Sequence, residues 1–147
     1  MARGLSFDLH VLTARLDRAA DRLLRAEYGV TYKRFLALTM VGELGVSTQR
    51  ALADALGVTE PSVSRMVGVL AADGLLVAER GAAGERGVRL RLTERASRLV
   101  GSAQRGLEHR FAELVEMSGV RHADYAQQTA QLLATLEQVQ TEGNSVT

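Results

Sequence analysis

Residues Gln49 to Gly74 read QRALADALGVTEPSVSRMVGVLAADG, and this stretch decides the fold. It divides at Gly57, where a positive φ is wanted for a turn. Before the glycine, Ser47 or Thr48 can cap a short helix over Ala51 to Leu56. After it, Thr59 can cap a second helix, with Pro61 in the first turn where a missing N–H costs nothing and Gly74 at the end. The small Ala53 lets the two helices approach, and Leu52, Leu56, Val58, Val63 and Met66 are expected to form the core between them. In the second helix Val63, Met66, Val67 and Leu70 share one face at about 100° per residue. Pro61, Arg65 and Gly68 fall opposite, flanked by Ser62 and Ser64. That outer face has no bulk, two hydroxyls and one guanidinium, which suits a helix lying in a DNA major groove.

Working outward, Leu5, Leu9, Leu12, Leu16, Ala20 and Leu23 recur at steps of four and three, the seam of a long helix ending near Gly29. Thr31 can cap the next helix, with apolar positions Tyr32, Phe35, Leu36, Thr39 and Met40, running to about Leu44 and stopping at Gly45. Downstream the period drops to two. Leu75 to Arg80 is one short strand, and Val88, Leu90 and Leu92 alternating with Arg89 and Arg91 make another, joined by the glycine-rich loop 81–87. Thr93 then caps a long helix with apolar positions Ala96, Leu99, Val100, Ala103, Leu107, Phe111, Leu114 and Val115, stopping near Gly119. A last helix carries Tyr125, Thr129, Leu132, Leu136 and Val139, and residues 144–147 read as a frayed tail. The fold class is mostly α with one β-hairpin. The heptad-like seams at the two ends of the chain either pack on each other within one subunit or interlock with a second copy; the dimer is the expected arrangement.

The chain has 147 residues, 46% apolar and 24% charged, enough for one domain with an apolar core. It has no cysteine, so disulfides, thiolate metal sites and thiol redox sensing are excluded. Asp8 and His10 interrupt the first apolar stretch before signal-peptide length, and a soluble, cytoplasmic protein without membrane contact is expected. The net charge of +1 conceals an asymmetry. From Arg80 to Arg98 six arginines face two acids, whereas from Arg105 onward three arginines face six acids. Seventeen arginines accompany a single lysine, Lys33; arginine suits phosphate forks and guanine edges, and a biased genomic base composition favours it as well.

The stretch RALADALGVTEPSVSRMVGVLAADGLL, the glycine-containing loop with Glu85-Arg86 at its tip, and RLRLTERA opening a long helix resemble the MarR family of winged-helix transcriptional regulators. The resemblance covers nearly the whole chain, most strongly Arg50 to Ala96. It implies one domain over 1–147, with a winged-helix DNA-binding part at 31–93 and helical dimerisation parts at 1–30 and 94–143. It further implies a homodimer joined through its terminal helices, bound to double-stranded DNA at a pseudo-palindromic operator, most often as a repressor released by a small molecule. Ser62, Ser64 and Arg65 match the recognition-helix positions, and Arg86 matches the wing-tip arginine. With Thr48, Thr59, Pro61 and Arg89 they make up the expected DNA-contact set. Gly87 stands where the family commonly has a second wing arginine, a loss that Arg89 and Arg91 could offset from the strand.

The same resemblance places a ligand between the dimerisation helices and the winged helix. His10, Arg15, Arg18, Tyr28, Tyr32 and Arg34 are the candidates there, a set suited to an anionic aromatic molecule. No cofactor is implied. His10, His109 and His122 lack the spacing of zinc ligands, so no metal is expected. No GxSxG, HExxH, Walker or GxGxxG pattern is present, and an enzyme is not expected. The rival reading is a winged helix used for protein contact alone, which salt dependence of binding separates from phosphate recognition.

Overall fold

The computed structural model describes residues 3–80 and 87–144, in the order α1 (Leu5–Tyr28), α2 (Tyr32–Gly42), α3 (Gln49–Leu56), α4 (Glu60–Ala72), β1 (Leu76–Arg80), β2 (Val88–Leu92), α5 (Glu94–Ser118) and α6 (His122–Asn144). Four helices begin at a threonine whose hydroxyl accepts a backbone N–H of the first turn: Thr31 from Arg34, Thr48 from Ala51, Thr59 from Ser62 and Thr93 from Ala96. Each satisfies a donor that the helix cannot pair internally. Thr48, rather than Ser47, is the cap of α3. Gly57 ends α3 at φ +68°, and the Val58 N–H then reaches back to the Ala53 carbonyl at 3.0 Å. Gly74 ends α4 in the same way, with Leu75 N–H on the Leu70 carbonyl at 2.9 Å.

The contacts divide the chain into two compact units, residues 1–105 and 106–147. In the first, the core comprises Leu24, Val30, Phe35, Ala37, Leu38, Val41, Leu52, Ala53, Val63, Val67, Leu70, Leu75, Leu76, Leu90, Ala96, Val100 and Ala103. Helix α2 is covered on more sides than its sequence suggests: Ala37, Leu38 and Val41 are buried beside Phe35, while Tyr32, Leu36, Thr39 and Met40 are half-buried. It also ends at Gly42, short of Leu44, because Gly45 at φ +67° turns the chain and Val46 N–H bonds the Met40 carbonyl at 3.1 Å. Val58 is not part of the core. It is 42% exposed, unlike Val30 and Leu75, which also follow left-handed glycines and are buried. In the seam of α1, Leu16, Ala20 and Leu23 are half-buried while Leu5, Leu9 and Leu12 stay exposed, and Leu24 is the residue that α1 buries completely.

The hairpin is antiparallel, pairing Leu76 with Leu92, Ala78 with Leu90 and Arg80 with Val88. Its first strand starts at Leu76, one residue later than the apolar run, because Leu75 closes the turn after α4. In the second unit, Phe111 and Tyr125 stack at a tilt with centroids 6.5 Å apart, and Val115 is buried. Helix α6 continues through Gly143 to Asn144, one residue into the stretch read as a tail, and 145–147 lie outside the described residues. No helix among the described residues is long and apolar enough to cross a membrane.

Candidate nucleic-acid interface

The first half of α4 carries the predicted groove face. Val63, Val67 and Leu70 are buried and Met66 is half-buried, which turns Pro61, Ser64, Arg65 and Gly68 out to solvent. Ser62 is half-buried and tied to its neighbours. Its N–H donates to Thr59 Oγ1 at 3.3 Å, the Thr59 hydroxyl donates to Ser62 Oγ at 3.0 Å, and Arg65 Nη2 donates to the same oxygen at 3.4 Å. Thr59, Ser62 and Arg65 thus form a continuous string along one side of α4, with Ser64 exposed beside it.

The hairpin base brings in two more of the expected residues. Leu90 N–H donates to the Ser47 carbonyl at 2.7 Å, and Thr48 and Arg89 form a single backbone bridge, so the segment entering α3 lies along the free edge of β2. Thr48 and Arg89, 41 positions apart in sequence, become neighbours. Arg89 and Arg91 project from the exposed face of the hairpin, opposite buried Leu90, and Arg91 Nη2 lies 3.4 Å from Glu79 Oε1. Arg86 lies outside the described residues, as does Glu85. Gly87 is described, exposed and at φ +107°, a conformation that an arginine there would adopt only with strain.

Sequence reading missed three contacts that hold this face in place. Arg50 Nε sits 3.9 Å from Glu60 Oε1, joining the first turns of α3 and α4. Arg95 Nη1 donates to the Asp73 carbonyl at 2.9 Å, placing a cation at the C-terminus of α4. The Thr93 hydroxyl donates to the Gly74 carbonyl at 2.8 Å while it caps α5, so the end of α4 and the start of α5 share one side chain. The first-turn position of Arg50 was a usable signal; the other two pairings span about twenty residues and left none.

Residues 28–87 match the sequence profile of the MarR family. This segment, which carries the winged helix, is similar to the MarR family. The fold of the whole chain agrees. It superposes on wild-type MarR from E. coli in its apo form with a TM-score of 0.72 at 19% identity, covering 92% of this chain and 99% of that one. The MepR–DNA complex of Staphylococcus aureus gives 0.71 at 21%, covering 94% and 99%. A MarR family protein from Bacillus stearothermophilus gives 0.74 at 22%, covering 93% of each. None of the curated proteins matches the sequence. The described residues therefore have the fold of MarR-family transcription regulators, six helices and a two-stranded wing.

Beside this winged helix, the expected ligand set divides. The Tyr28 hydroxyl donates to the Ser102 carbonyl of α5 at 3.2 Å. Tyr32 donates its N–H to Asp21 Oδ1 at 2.8 Å. Burial, with the Asp17 carboxylate adding to it, pushes the Tyr32 phenol up to about 12. The Tyr32 N–H in turn holds the Asp21 carboxyl below the usual carboxylate range, with Arg25 at 2.7 Å helping. Both tyrosines thus join α1 to its neighbours, and Arg34 is half-buried in the first turn of α2. His10, Arg15 and Arg18 are exposed on α1. Among the described residues no group of three or more histidines, cysteines and acids could hold a metal ion.

Proposed function

We propose that the chain is a homodimeric, sequence-specific DNA-binding transcription regulator that inserts α4 into the major groove of a pseudo-palindromic operator. The observation that carries this reading is the outer face of the first half of α4, where Ser64 and Arg65 are exposed and Arg65 is hydrogen-bonded to Ser62. Its surroundings support it. Residues 1–105 hold sixteen cationic side chains against eleven acids, and 106–147 hold two against six, so the winged-helix unit is +5 and the remainder −4. A positive unit attracts a polyanion even in a nearly neutral chain. MepR, which shares the fold, has been crystallised with DNA. Thr48, Thr59, Pro61, Ser62, Ser64, Arg65, Arg86 and Arg89 form the proposed contact set.

The dimer is proposed from exposed apolar stripes. Leu5 is 73% exposed on α1, and Leu132, Leu136 and Val139 are 66%, 54% and 59% exposed on α6. Side chains of this size at helical spacing in water mark a surface awaiting a partner. In this reading the regulator is a repressor released by a small anionic aromatic effector, with His10, Arg15 and Arg18 receiving the anion. The cytoplasm is its proposed location.

Fluorescence anisotropy on duplexes from the chain's own upstream region and on a scrambled duplex, at several salt concentrations, tests the reading. Specific binding at two chains per site, falling with log salt at about −0.9 per phosphate contact, is expected. Weak binding to both duplexes that ignores salt would assign the winged helix to a protein partner instead.

A further inference from the structure

The string on α4 has a stereochemical consequence for base selection. A hydroxyl offers two lone pairs and one proton. Ser62 Oγ accepts from Thr59 at 3.0 Å and from Arg65 at 3.4 Å, and the guanidinium can only donate. Both lone pairs are taken, so the proton is the group left to donate. A cation and a second hydroxyl donating to the same oxygen also polarise its O–H and strengthen it as a donor. Ser64, in contrast, is exposed and makes no hydrogen bond among the described residues, so it can donate or accept.

We infer that Thr59, Ser62 and Arg65 act as one donor-only unit that reads the major-groove edge of a guanine, with Ser62 determining specificity alongside Arg65 and Thr59 positioning Ser62. The inference rests on the proposed DNA binding. Only guanine presents two adjacent acceptors in the major groove, N7 and O6; adenine sets an amino donor beside its N7, cytosine presents an amino donor, and thymine has a single O4 beside its methyl group. An O–H whose oxygen is already saturated cannot receive an amino group. Phosphate oxygens are acceptors too, and the experiment has to separate the two sources.

The test uses the full chain, random duplex selection, and a panel in which each guanine of the enriched sequence is replaced by 7-deazaguanine. Ser62→Ala keeps the backbone N–H that Thr59 caps, so its melting temperature should stay close to that of the parent. Ser62→Ala and Arg65→Ala should each lose about 5- to 150-fold at one and the same guanine, and the double variant should lose no more than the worse single. The 7-deaza substitution at that guanine should weaken the parent and leave Ser62→Ala little changed. Thr59→Ala should lose the same preference and Thr59→Ser should restore it. Uniform weakening across all sequences, with the salt slope smaller by about one, would make Ser62 a phosphate contact and overturn the inference. Independent losses at two different base pairs would overturn it as well. If the parent enriches no sequence at all, the DNA reading itself falls and the inference with it.

Discussion

At the scale of single residues, position on the outer face separates two kinds of arginine. Arg65 projects from the helix that would enter the groove, so Arg65→Ala should cost about 1–3 kcal/mol on the preferred duplex and relax sequence preference. Arg86, which the resemblance matches to a wing arginine, should weaken preferred and scrambled duplexes alike when replaced by alanine. Competition anisotropy on both duplexes distinguishes them, and unchanged discrimination in Arg65→Ala would remove α4 from the groove. Tyr32 makes a different prediction. Its phenol ionises at about 12 in the fold and near 10 when free. The folded state therefore holds a proton that the unfolded state releases first, so this stability is present below pH 10 and is lost between pH 10 and 12. Tyrosinate absorbance at 295 nm should show one of the three tyrosines titrating late, together with unfolding. Tyr32→Phe should remove the late step while keeping the N–H bond to Asp21.

At the scale of elements, the close approach of α2 to the wing has one requirement. A Cβ on Gly42 would lie 2.5 Å from Leu92 Cδ1 and 3.4 Å from its Cγ. Gly42→Val should therefore force the Leu92 side chain out of its position and cost about 1–3 kcal/mol, read as a lower melting temperature. Adding Leu92→Ala should recover part of that loss, because the branched side chain then fills the space vacated. The elements themselves were legible in the sequence wherever their cause is local. Thr31, Thr48, Thr59 and Thr93 cap helices within three residues, Gly57 and Gly74 close them, and the alternation of Val88 to Leu92 marks a strand without help from elsewhere. Val58 was misjudged because apolar identity in a turn does not reveal burial: Val30 and Leu75 also follow left-handed glycines and are buried, whereas Val58 is exposed. The burial of Ala37 and Leu38 was invisible for a related reason: a helix covered on several sides loses the one-faced pattern that periodicity detects. In the candidate site, the outer face of α4 could be read from helical spacing. The Thr48–Arg89 bridge and the Arg95 contact to the end of α4 depend on tertiary folding and left no trace in spacing.

At the scale of the whole molecule, the apolar stripe of α6 should decide assembly. Leu132 and Leu136 are both more than half exposed, and a charge at each would have to be desolvated in a helical interface. Leu132→Glu with Leu136→Glu should convert the proposed dimer to a monomer in sedimentation velocity. The helical content of residues 1–105 should be retained, because the core of that unit includes neither residue. Affinity for a two-half-site duplex should fall far more than affinity for a half-site, since linking two modules raises the effective concentration of the second. Equal losses on both duplexes would mean that the stripe serves the fold of one chain.

The base of the hairpin carries a last implication. Thr93 donates its N–H to the Leu75 carbonyl at 3.1 Å and its hydroxyl to the Gly74 carbonyl at 2.8 Å, and the ladder runs from there out to the Arg80 and Val88 pair. The ends of the excursion are thus fastened to the helices independently of what lies beyond that pair. Doubling the length of such a closed loop costs only about 0.6 kcal/mol in closure entropy. Chain can be inserted or rewritten there while the helical scaffold keeps its register. A peptide grafted between Arg80 and Val88 should accordingly leave the melting temperature of the helical scaffold close to that of the parent, whatever it does to DNA binding.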